Sequence, residues 1–257
     1  MKVVILCGGM GTRMREETEV RPKPMVEVGA RPILWHIMRT YAHHGYRDFV
    51  LCLGYKGEQI KQFFCNYEVL THDVTVDLGT GGLTIHPGER RQDWRVTLAD
   101  TGLAARTGAR VKRVQRYVDS DLFMLTYGDG LTDLDLRRLE AFHRDHGRIG
   151  TVTGVFPPSR YGELNIVGER VLTFREKPDT AAGLISGGYF VFSRRFFDYL
   201  RDDDDCVLER EPLERLAKDG ELMVYTHRGF WQCMDTPRDL EYLKDLWAAG
   251  SPPWRVW

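Results

Sequence analysis

The stretch KVVILCGGMGTRM, residues 2–14, is an apolar run that leads directly into three glycines. The apolar run predicts a short buried strand, and glycines that follow a strand let the backbone approach a ligand closely. Two standard phosphate loops can be tested by spacing. The dinucleotide fingerprint G-x-G-x-x-G fails because Met14 stands at the last glycine position, and the P-loop fails because no Gly-Lys-Ser/Thr follows Gly8. The loop therefore requires a third explanation.

Length and composition narrow the classes of protein that fit. The chain has 257 residues, of which 42% are hydrophobic, so we expect one or two domains with a sizeable core. A net charge of −1 favours neither nucleic acid nor a membrane surface as a partner. No stretch approaches the ~20 apolar residues of a membrane span, and the opening apolar run is too short for a signal peptide. The five cysteines form no C-x-x-C pair, which indicates reduced thiols in a cytoplasmic protein.

Strand and helix signals alternate along residues 1–150. Strands are predicted at KVVIL, DFVLCLG, WRVTLAD and LFMLTYGDG, and helices at PILWHIMRTYAHHG, KGEQIKQFFCNY, 107–117 and LRRLEAFHRDHG. This repeated β-α-β pattern predicts an α/β fold with a doubly wound, mostly parallel, Rossmann-like sheet. Residues 151–257 add a hairpin around Gly168 and a final helix that begins near Thr236, so we expect a single domain over residues 1–257.

Basic and hydroxyl side chains accompany the glycine loop, at the sheet edge where open parallel sheets bind ligands. The N–H groups of Gly8, Gly9 and Gly11 can donate to phosphate oxygens, and so can the Thr12 hydroxyl and the Arg13 guanidinium. Lys23 lies between two prolines, which stiffen the chain and aim its side chain. A solvated lysine in an ordinary turn is the alternative for Lys23, but the neighbouring loop makes phosphate binding the better hypothesis.

Two carboxylates are candidates for a metal site. Asp129 follows a predicted strand in LTYGDG, at the same sheet edge as the glycine loop. A carboxylate that faces a polyphosphate is repelled unless a cation lies between them, and Mg²⁺ binds a few carboxylates together with phosphate oxygens. Asp235, in GFWQCMDT, is the candidate second ligand. The alternatives are a common Asp-Gly turn at Asp129 and a local turn acid at Asp235.

The motifs LCGGMGTRM, RPKPM, YGDG, REKP and GFWQCMDT together resemble the sugar-1-phosphate nucleotidyltransferases, and most closely those that join CTP to glucose 1-phosphate. The resemblance extends over essentially the whole chain. It implies a nucleotide-binding half at residues 1–150 and a C-terminal sugar-binding elaboration at 151–257. It also implies that CTP and a sugar 1-phosphate are the substrates, that Mg²⁺ is the cofactor, and that the chain forms a homo-oligomer.

The resemblance also assigns roles to individual residues. Arg13, Lys23 and Asp129 would be catalytic, and Asp129 and Asp235 would bind Mg²⁺. The nucleotide would be held by ten residues: Leu6, Cys7, Gly8, Gly9, Met10, Gly11, Thr12, Arg13, Lys23 and Arg110. The sugar and its phosphate would be bound by Glu176 and Lys177, with Gly188 nearby.

Aromatic residues are further candidates for the sugar site, because aromatic faces stack on pyranose C–H groups. Tyr127, Tyr189 and Trp231 could serve in this way, although core packing explains Tyr189 equally well. Ser186, in ISGGYF, replaces an amide side chain of the family, which leaves the identity of the sugar open. The base is open as well, because cytosine presents an N4 donor where uracil presents O4, and an arginine can bond to O2 of either.

Two other functional classes are alternatives to a nucleotidyltransferase. The DLD triplet at 133–135 resembles the Asp-x-Asp metal motif of nucleotide-sugar glycosyltransferases, but acids at a helix start more often serve as caps. A nucleotide-sugar-binding regulatory domain could dispense with the lysine and both aspartates, yet all three are present. His143 and His146 are three positions apart on a predicted helix but have no third metal ligand nearby, so a solvated helix face is expected.

Overall fold

A computed structural model describes residues 1–86, 88, 92–157, 163–167, 169–175 and 183–257. Its strands are β1 (Lys2–Leu6), β2 (Glu27–Val28), β3 (Arg31–Pro32), β4 (Asp48–Leu53), β5 (Asp73–Asp77), β6 (Gly82–His86), β7 (Arg95–Asp100), β8 (Leu122–Tyr127), β9 (Gly130–Thr132), β10 (Gly150–Val155), β11 (Glu163–Val167), β12 (Arg170–Arg175), β13 (Ile185–Ser193), β14 (Leu222–His227) and β15 (Trp231–Cys233). Its α-helices are α1 (Arg15–Thr18), α2 (Ile33–His43), α3 (Gly57–Cys65), α4 (Tyr67–Thr71), α5 (Thr107–Arg113), α6 (Leu136–His146), α7 (Glu211–Lys218) and α8 (Pro237–Ala248). Short 3₁₀ turns span Thr12–Met14, Lys23–Met25, Gln115–Tyr117 and Arg194–Tyr199.

Seven of these strands form the central sheet, in the order β14-β10-β13-β8-β1-β4-β7. β1 lies between β4 and β8 and is parallel to both, β4 is parallel to β7, and β10 is parallel to β14. β13 is antiparallel to both of its neighbours. The predicted α/β fold with a mostly parallel sheet is therefore confirmed, with β13 as its reversed strand.

The register of the sheet brings several strand ends to one level. Leu6 at the end of β1 pairs with Cys52 of β4 on one side and with Tyr127 of β8 on the other. The loops that follow β1, β4 and β8 therefore leave the sheet together at its carboxyl edge, where ligands bind in open parallel sheets.

The sheet is covered on both faces, which is why β1 is apolar at every position after Lys2. Val3 and Ile5 are fully buried in a core cluster that includes residues of α2 and α8. Val4 and Leu6 point to the opposite face and belong to a second cluster, which includes residues of α5 and α7. We refer to these as the α8 face and the α5 face of the sheet.

Most of the predicted elements are present. α8 begins after Thr236 with the expected capping box, in which the Thr236 hydroxyl and the Asp239 carboxylate bond to each other's backbone N–H groups. The predicted helix over 107–117 instead ends as α5 at Arg113 and is followed by a 3₁₀ turn. β11 and β12 form the predicted hairpin, although Gly168 itself lies outside the described residues. Among the helices of the described residues, none is both long and apolar enough to cross a membrane.

Candidate active site

Four charged side chains meet at the carboxyl edge of the sheet. The Lys23 ammonium lies 2.6 Å from Oδ2 of Asp129 and 2.7 Å from Oδ1 of Asp235. The other Asp235 oxygen, Oδ2, lies 2.9 Å from the guanidinium of Arg13. The Lys23 side chain is 13% exposed, whereas that of Arg13 is 74% exposed. The predicted proximity of the loop, the lysine and both aspartates is therefore observed, with Lys23 at the centre.

The charges in this group stabilise one another. Burial alone would lower the pKa of Lys23, but the charge of Asp129 and the hydrogen bonds to both aspartates outweigh it and raise that pKa. Burial likewise opposes ionisation of Asp235, yet the hydrogen bond and charge of Lys23 and the charge of Arg13 keep the pKa of Asp235 below its usual value. Lys23 therefore stays a cation and Asp235 an anion at neutral pH.

Close backbone packing positions Asp129 beside Lys23. Gly128 donates its N–H to the Leu6 carbonyl at 3.0 Å, and a Cβ at Gly128 would lie only 2.9 Å from Cγ of Pro24. A residue other than glycine would therefore separate the β8 loop from the lysine turn.

Asp235 is brought to the same place by strand pairing. Gly130 of β9 is opposite Cys233 of β15, and the N–H of Met234 donates to the Asp129 carbonyl at 2.8 Å. Asp235 then precedes the N-cap of α8, as predicted.

The glycine loop leaves free donors at this edge. The N–H groups of residues 8–11 donate no hydrogen bond to any residue that the structure describes. Gly11 has a positive φ of 62°, and a Cβ at this position would lie 2.7 Å from the methyl group of Thr18. The Thr12 hydroxyl is exposed beyond this turn. The loop therefore offers unpaired backbone donors next to two cations, which suits a polyphosphate.

Arg110 is 4% exposed, and the loop carbonyls surround its guanidinium. The guanidinium donates to the Thr101 hydroxyl and to the carbonyl oxygens of Gly8, Leu53, Gly102 and Leu103. These acceptors lie at the end of β4 and just after β1 and β7, so Arg110 joins the ends of three strands. It was predicted to reach the nucleotide. The structure places it in the cavity lining, where its guanidinium also bonds to the Gly8 carbonyl, so its contact with the nucleotide stays a prediction.

A cavity of about 370 Å³ opens at this edge. All the predicted nucleotide-binding residues except Met10 line it. Asp129, Asp235 and Tyr127 also contribute, together with Ala105, Arg106 and Thr107, which precede or begin α5. Of these last three residues, only Thr107 carries a hydroxyl.

Three other predicted nucleotide-binding residues, Leu6, Cys7 and Met10, differ in how far they are exposed to solvent. Leu6 and Cys7 are buried, and burial raises the pKa of the Cys7 thiol. Met10 is 55% exposed.

Three predicted sugar-binding residues lie beside this cavity, not in its lining. Trp231 is half-buried and donates its indole N–H to the Gly187 carbonyl at 2.7 Å. Gly188 has a positive φ of 76°, and a Cβ there would lie 2.6 Å from the Tyr127 ring. Tyr189 is fully buried, and its hydroxyl donates to the Gly130 carbonyl at 2.6 Å. We therefore assign Tyr189 to the core, which was the alternative to a sugar contact.

Glu176 and Lys177 lie outside the described residues, so their predicted sugar role stays a prediction. Ser186 is exposed, and its hydroxyl accepts a 3.4 Å bond from the N–H of Gly188.

Sequence reasoning missed two residues at this edge. Cys233 lies 3.7 Å from Oδ2 of Asp235, and burial, together with the nearby aspartate charges, raises the pKa of its thiol to about 12. Glu209 precedes α7 and accepts hydrogen bonds from the hydroxyls of Tyr127 and Thr107. Glu209 lies in no recognisable motif, so spacing alone could not have found it, whereas Cys233 lies within the GFWQCMDT motif, two positions before Asp235.

The structure also accounts for the rival motifs. Asp135 caps α6 by accepting from the N–H groups of Arg137 and Arg138, and Asp133 pairs with His227 at 2.9 Å. The DLD triplet is therefore structural. The expected solvated helix face is wrong for His143, which is buried on α6. His143 and His146 both bond to the hydroxyl of Thr151, and no metal-binding cluster of three or more side chains occurs among the described residues.

Comparisons with known proteins identify the family of the chain. A glucose-1-phosphate cytidylyltransferase of Salmonella typhi is 49% identical over the full length of both chains. A probable glucose-1-phosphate cytidylyltransferase of Bacillus subtilis is 43% identical, again over both full lengths. The crystal structure of HddC from Yersinia pseudotuberculosis has the same fold, with a TM-score of 0.65 at 23% identity, over 96% of this chain and 99% of that one. Residues 2–246 match the nucleotidyl transferase family, and the chain belongs to that family.

Proposed function

We propose that this protein converts CTP and α-D-glucose 1-phosphate to CDP-glucose and pyrophosphate. The observation that carries the proposal is the position of Lys23 between Asp129 and Asp235, on a cavity lined by unpaired loop N–H groups. The choice of CTP and glucose 1-phosphate is supported by the two full-length cytidylyltransferase relatives.

The chemistry is an in-line displacement at phosphorus. A phosphate oxygen of the sugar 1-phosphate bonds to the α-phosphorus of CTP, and the bond from that phosphorus to the β-phosphate oxygen breaks, so pyrophosphate leaves. Both reactants are anions, and their mutual repulsion is the main barrier to approach in a site shielded from water. The attacking oxygen is already ionised near pH 7, so no general base is needed.

Positioning and charge neutralisation then account for catalysis. The loop N–H groups and Arg13 hold the triphosphate, and the fork of Arg13 can bond two oxygens at once. Lys23 neutralises the charge that develops on the leaving pyrophosphate. Asp129 and Asp235 cannot serve as phosphate ligands, because they are themselves negative.

The two aspartates suit a divalent cation. They are oxygen donors that already share one cation, the ammonium of Lys23, and Mg²⁺ binds one or two carboxylates together with substrate phosphates. When bound, Mg²⁺ would supply charge neutralisation between the reacting phosphates. Binding of phosphates by Lys23 and Arg13 would release the carboxylates for this role.

The proposal also assigns the nucleotide-binding and the sugar-binding residues to different parts of the chain. Residues 1–150 supply the nucleotide loop, Lys23 and Asp129. Residues 151–257 supply Asp235, Trp231 and the predicted sugar contacts Glu176 and Lys177. Tyr127 and Gly188 lie where the two parts touch. The homo-oligomer and the cytoplasmic location stay predictions.

A matrix of nucleotides and sugar phosphates tests the proposal. CTP, UTP, dTTP, ATP and GTP would each be combined with glucose, galactose and mannose 1-phosphates, and pyrophosphate release measured. Highest turnover with CTP and glucose 1-phosphate is expected. Product formation without pyrophosphate, or binding of a nucleotide sugar without turnover, would favour the glycosyltransferase or the regulatory domain instead.

A further inference from the structure

The cavity crosses from one face of the sheet to the other. Its charged end belongs to the α8 face, because Val26 and Met234, which neighbour the lysine turn and Asp235, are buried in that core cluster. At its other end, Tyr127 packs on the α5 face and Thr107 begins α5 itself. If phosphates occupy the charged end, the nucleoside is directed towards Thr107 and Tyr127.

The hydroxyls of Thr107 and Tyr127, at the α5 end of the cavity, both donate their protons within the protein, so neither can donate a hydrogen bond to a ligand. The Thr107 hydroxyl donates to Oε2 of Glu209 at 2.7 Å and accepts from the N–H of Leu208 at 2.9 Å. The Tyr127 hydroxyl donates to Oε1 of Glu209. Burial raises the pKa of Tyr127, so the phenol keeps the proton that it donates.

Glu209 itself retains acceptor capacity. A carboxylate can accept about four hydrogen bonds, and two are used here. No lysine or arginine in the described ranges forms an ion pair with Glu209. The side chain is exposed, so a ligand can reach it. Glu209 is not itself in the cavity lining, but it contacts two residues that are, Thr107 and Tyr127, so an acceptor lies beside the α5 end of the cavity.

Cytosine and uracil differ in the exocyclic group that would face this acceptor. Cytosine carries an exocyclic amino group, a donor, where uracil carries a carbonyl oxygen, an acceptor. We propose that Glu209 determines the base preference by accepting a hydrogen bond from the cytosine amino group, with Thr107 and Tyr127 holding its carboxylate in place. This inference rests on the proposed function. It adds a base-reading residue outside the glycine loop.

Matched variants test the inference. Kinetics with CTP and with UTP would be measured for the natural protein, for Glu209→Gln, and for Glu214→Gln, which removes the same charge from an exposed position on α7. The Gln side chain can present an N–H₂ group, which suits O4 of uracil. We expect Glu209→Gln to lower the ratio of kcat/KM for CTP over UTP about ten- to a hundredfold. Glu214→Gln should leave the ratio unchanged.

Binding provides a readout that does not depend on turnover. Titration calorimetry with CTP and UTP, without a sugar phosphate, should show the same loss of preference in Glu209→Gln. An equal loss for both nucleotides would overturn the inference and leave Glu209 a structural residue. A changed preference among sugar 1-phosphates, with an unchanged ratio of CTP to UTP, would overturn it in favour of a sugar contact. Failure of the proposed function is distinguishable, because the natural protein would then not turn over CTP.

Discussion

The ammonium of Lys23 lies 2.7 Å from Oδ1 of Asp235, although 212 positions separate the two residues. The same ammonium contacts Asp129, and Arg13 contacts Asp235 from the other side. Two positive and two negative side chains therefore balance in the free site. Substrate phosphates would draw the two cations away, which leaves two carboxylates that favour a divalent cation. Lysine and metal would then alternate as partners of the same aspartates.

The two carboxylates give the first prediction. Asp129→Asn and Asp235→Asn should each lower kcat by orders of magnitude at saturating Mg²⁺, because an amide is neutral and binds Mg²⁺ weakly. The fold should survive, since both side chains are partly exposed. Asp119→Asn is a suitable control, because the Asp119 carboxylate is 78% exposed and its contact with the Lys2 ammonium is a long one, at 3.8 Å. Near-normal turnover of Asp235→Asn would remove that residue from the metal site.

Chelation extends this prediction to the cation itself. EDTA should abolish turnover without lowering the melting temperature, because the proposed cation would be held in part by substrate phosphates and not by the fold. Unfolding on chelation would indicate a structural metal instead.

The lysine should act more on turnover than on binding. If Lys23 faces the charge that moves onto pyrophosphate in the transition state, as we propose, Lys23→Ala should lower kcat more than it weakens CTP binding. Arg13→Lys should weaken CTP binding, because a point charge cannot reproduce a bidentate fork. Single-turnover kinetics together with calorimetry would separate the two effects. If Lys23→Ala affects binding alone, the lysine is only a phosphate anchor.

Arg110 should stabilise both the loop and the fold. Arg110→Lys replaces two donor nitrogens, which serve five oxygens, with one ammonium, so buried carbonyls lose partners. We expect the free energy of unfolding to fall by about 2–4 kcal/mol and the KM for CTP to rise. Arg116→Lys, at an exposed position, is the matched control. Urea denaturation and initial rates would check both. An unchanged KM would show that Gly8 keeps its position without this support.

Gly8→Ala tests the same contact from the other side. A Cβ on Gly8 would lie 2.2 Å from a guanidinium nitrogen of Arg110, so one of them must move. A loss of CTP affinity comparable to that of Arg110→Lys is expected. Unaltered affinity would contradict close packing at this position.

The sequence predicted those features that depend on local pattern or on strand ends. β1 and its glycine loop followed from apolar periodicity and from glycine chemistry. The meeting of Lys23 with Asp129 followed from the rule that parallel strands end at one edge. The direction of β13 could not be predicted, because an apolar run is the same in either direction. The partners of Arg110 are mostly backbone oxygens from three segments, and no side-chain motif marks such acceptors.

A buried histidine gives the last prediction, on the pH dependence of stability. His36 is fully buried, and the centroid of its ring lies 4.8 Å from that of Trp247. One nitrogen of the His36 ring bonds to the Val28 carbonyl. Burial lowers its pKa to about 4, against about 6.5 in the unfolded chain. Between these values the unfolded chain binds more protons, so the stability present above pH 6.5 is progressively lost as the pH falls towards 4.

The slope of the free energy of unfolding against pH shows whether His36 causes this loss of stability. His36 should contribute up to about 1.4 kcal/mol per pH unit within this window. His36→Gln can still donate to the Val28 carbonyl but cannot become charged, so its free energy of unfolding should start lower at pH 7 and fall less steeply towards pH 5. Urea denaturation at half-unit pH steps would measure both curves. Parallel curves for the two proteins would mean that His36 does not titrate on unfolding, and that other groups cause the acid sensitivity.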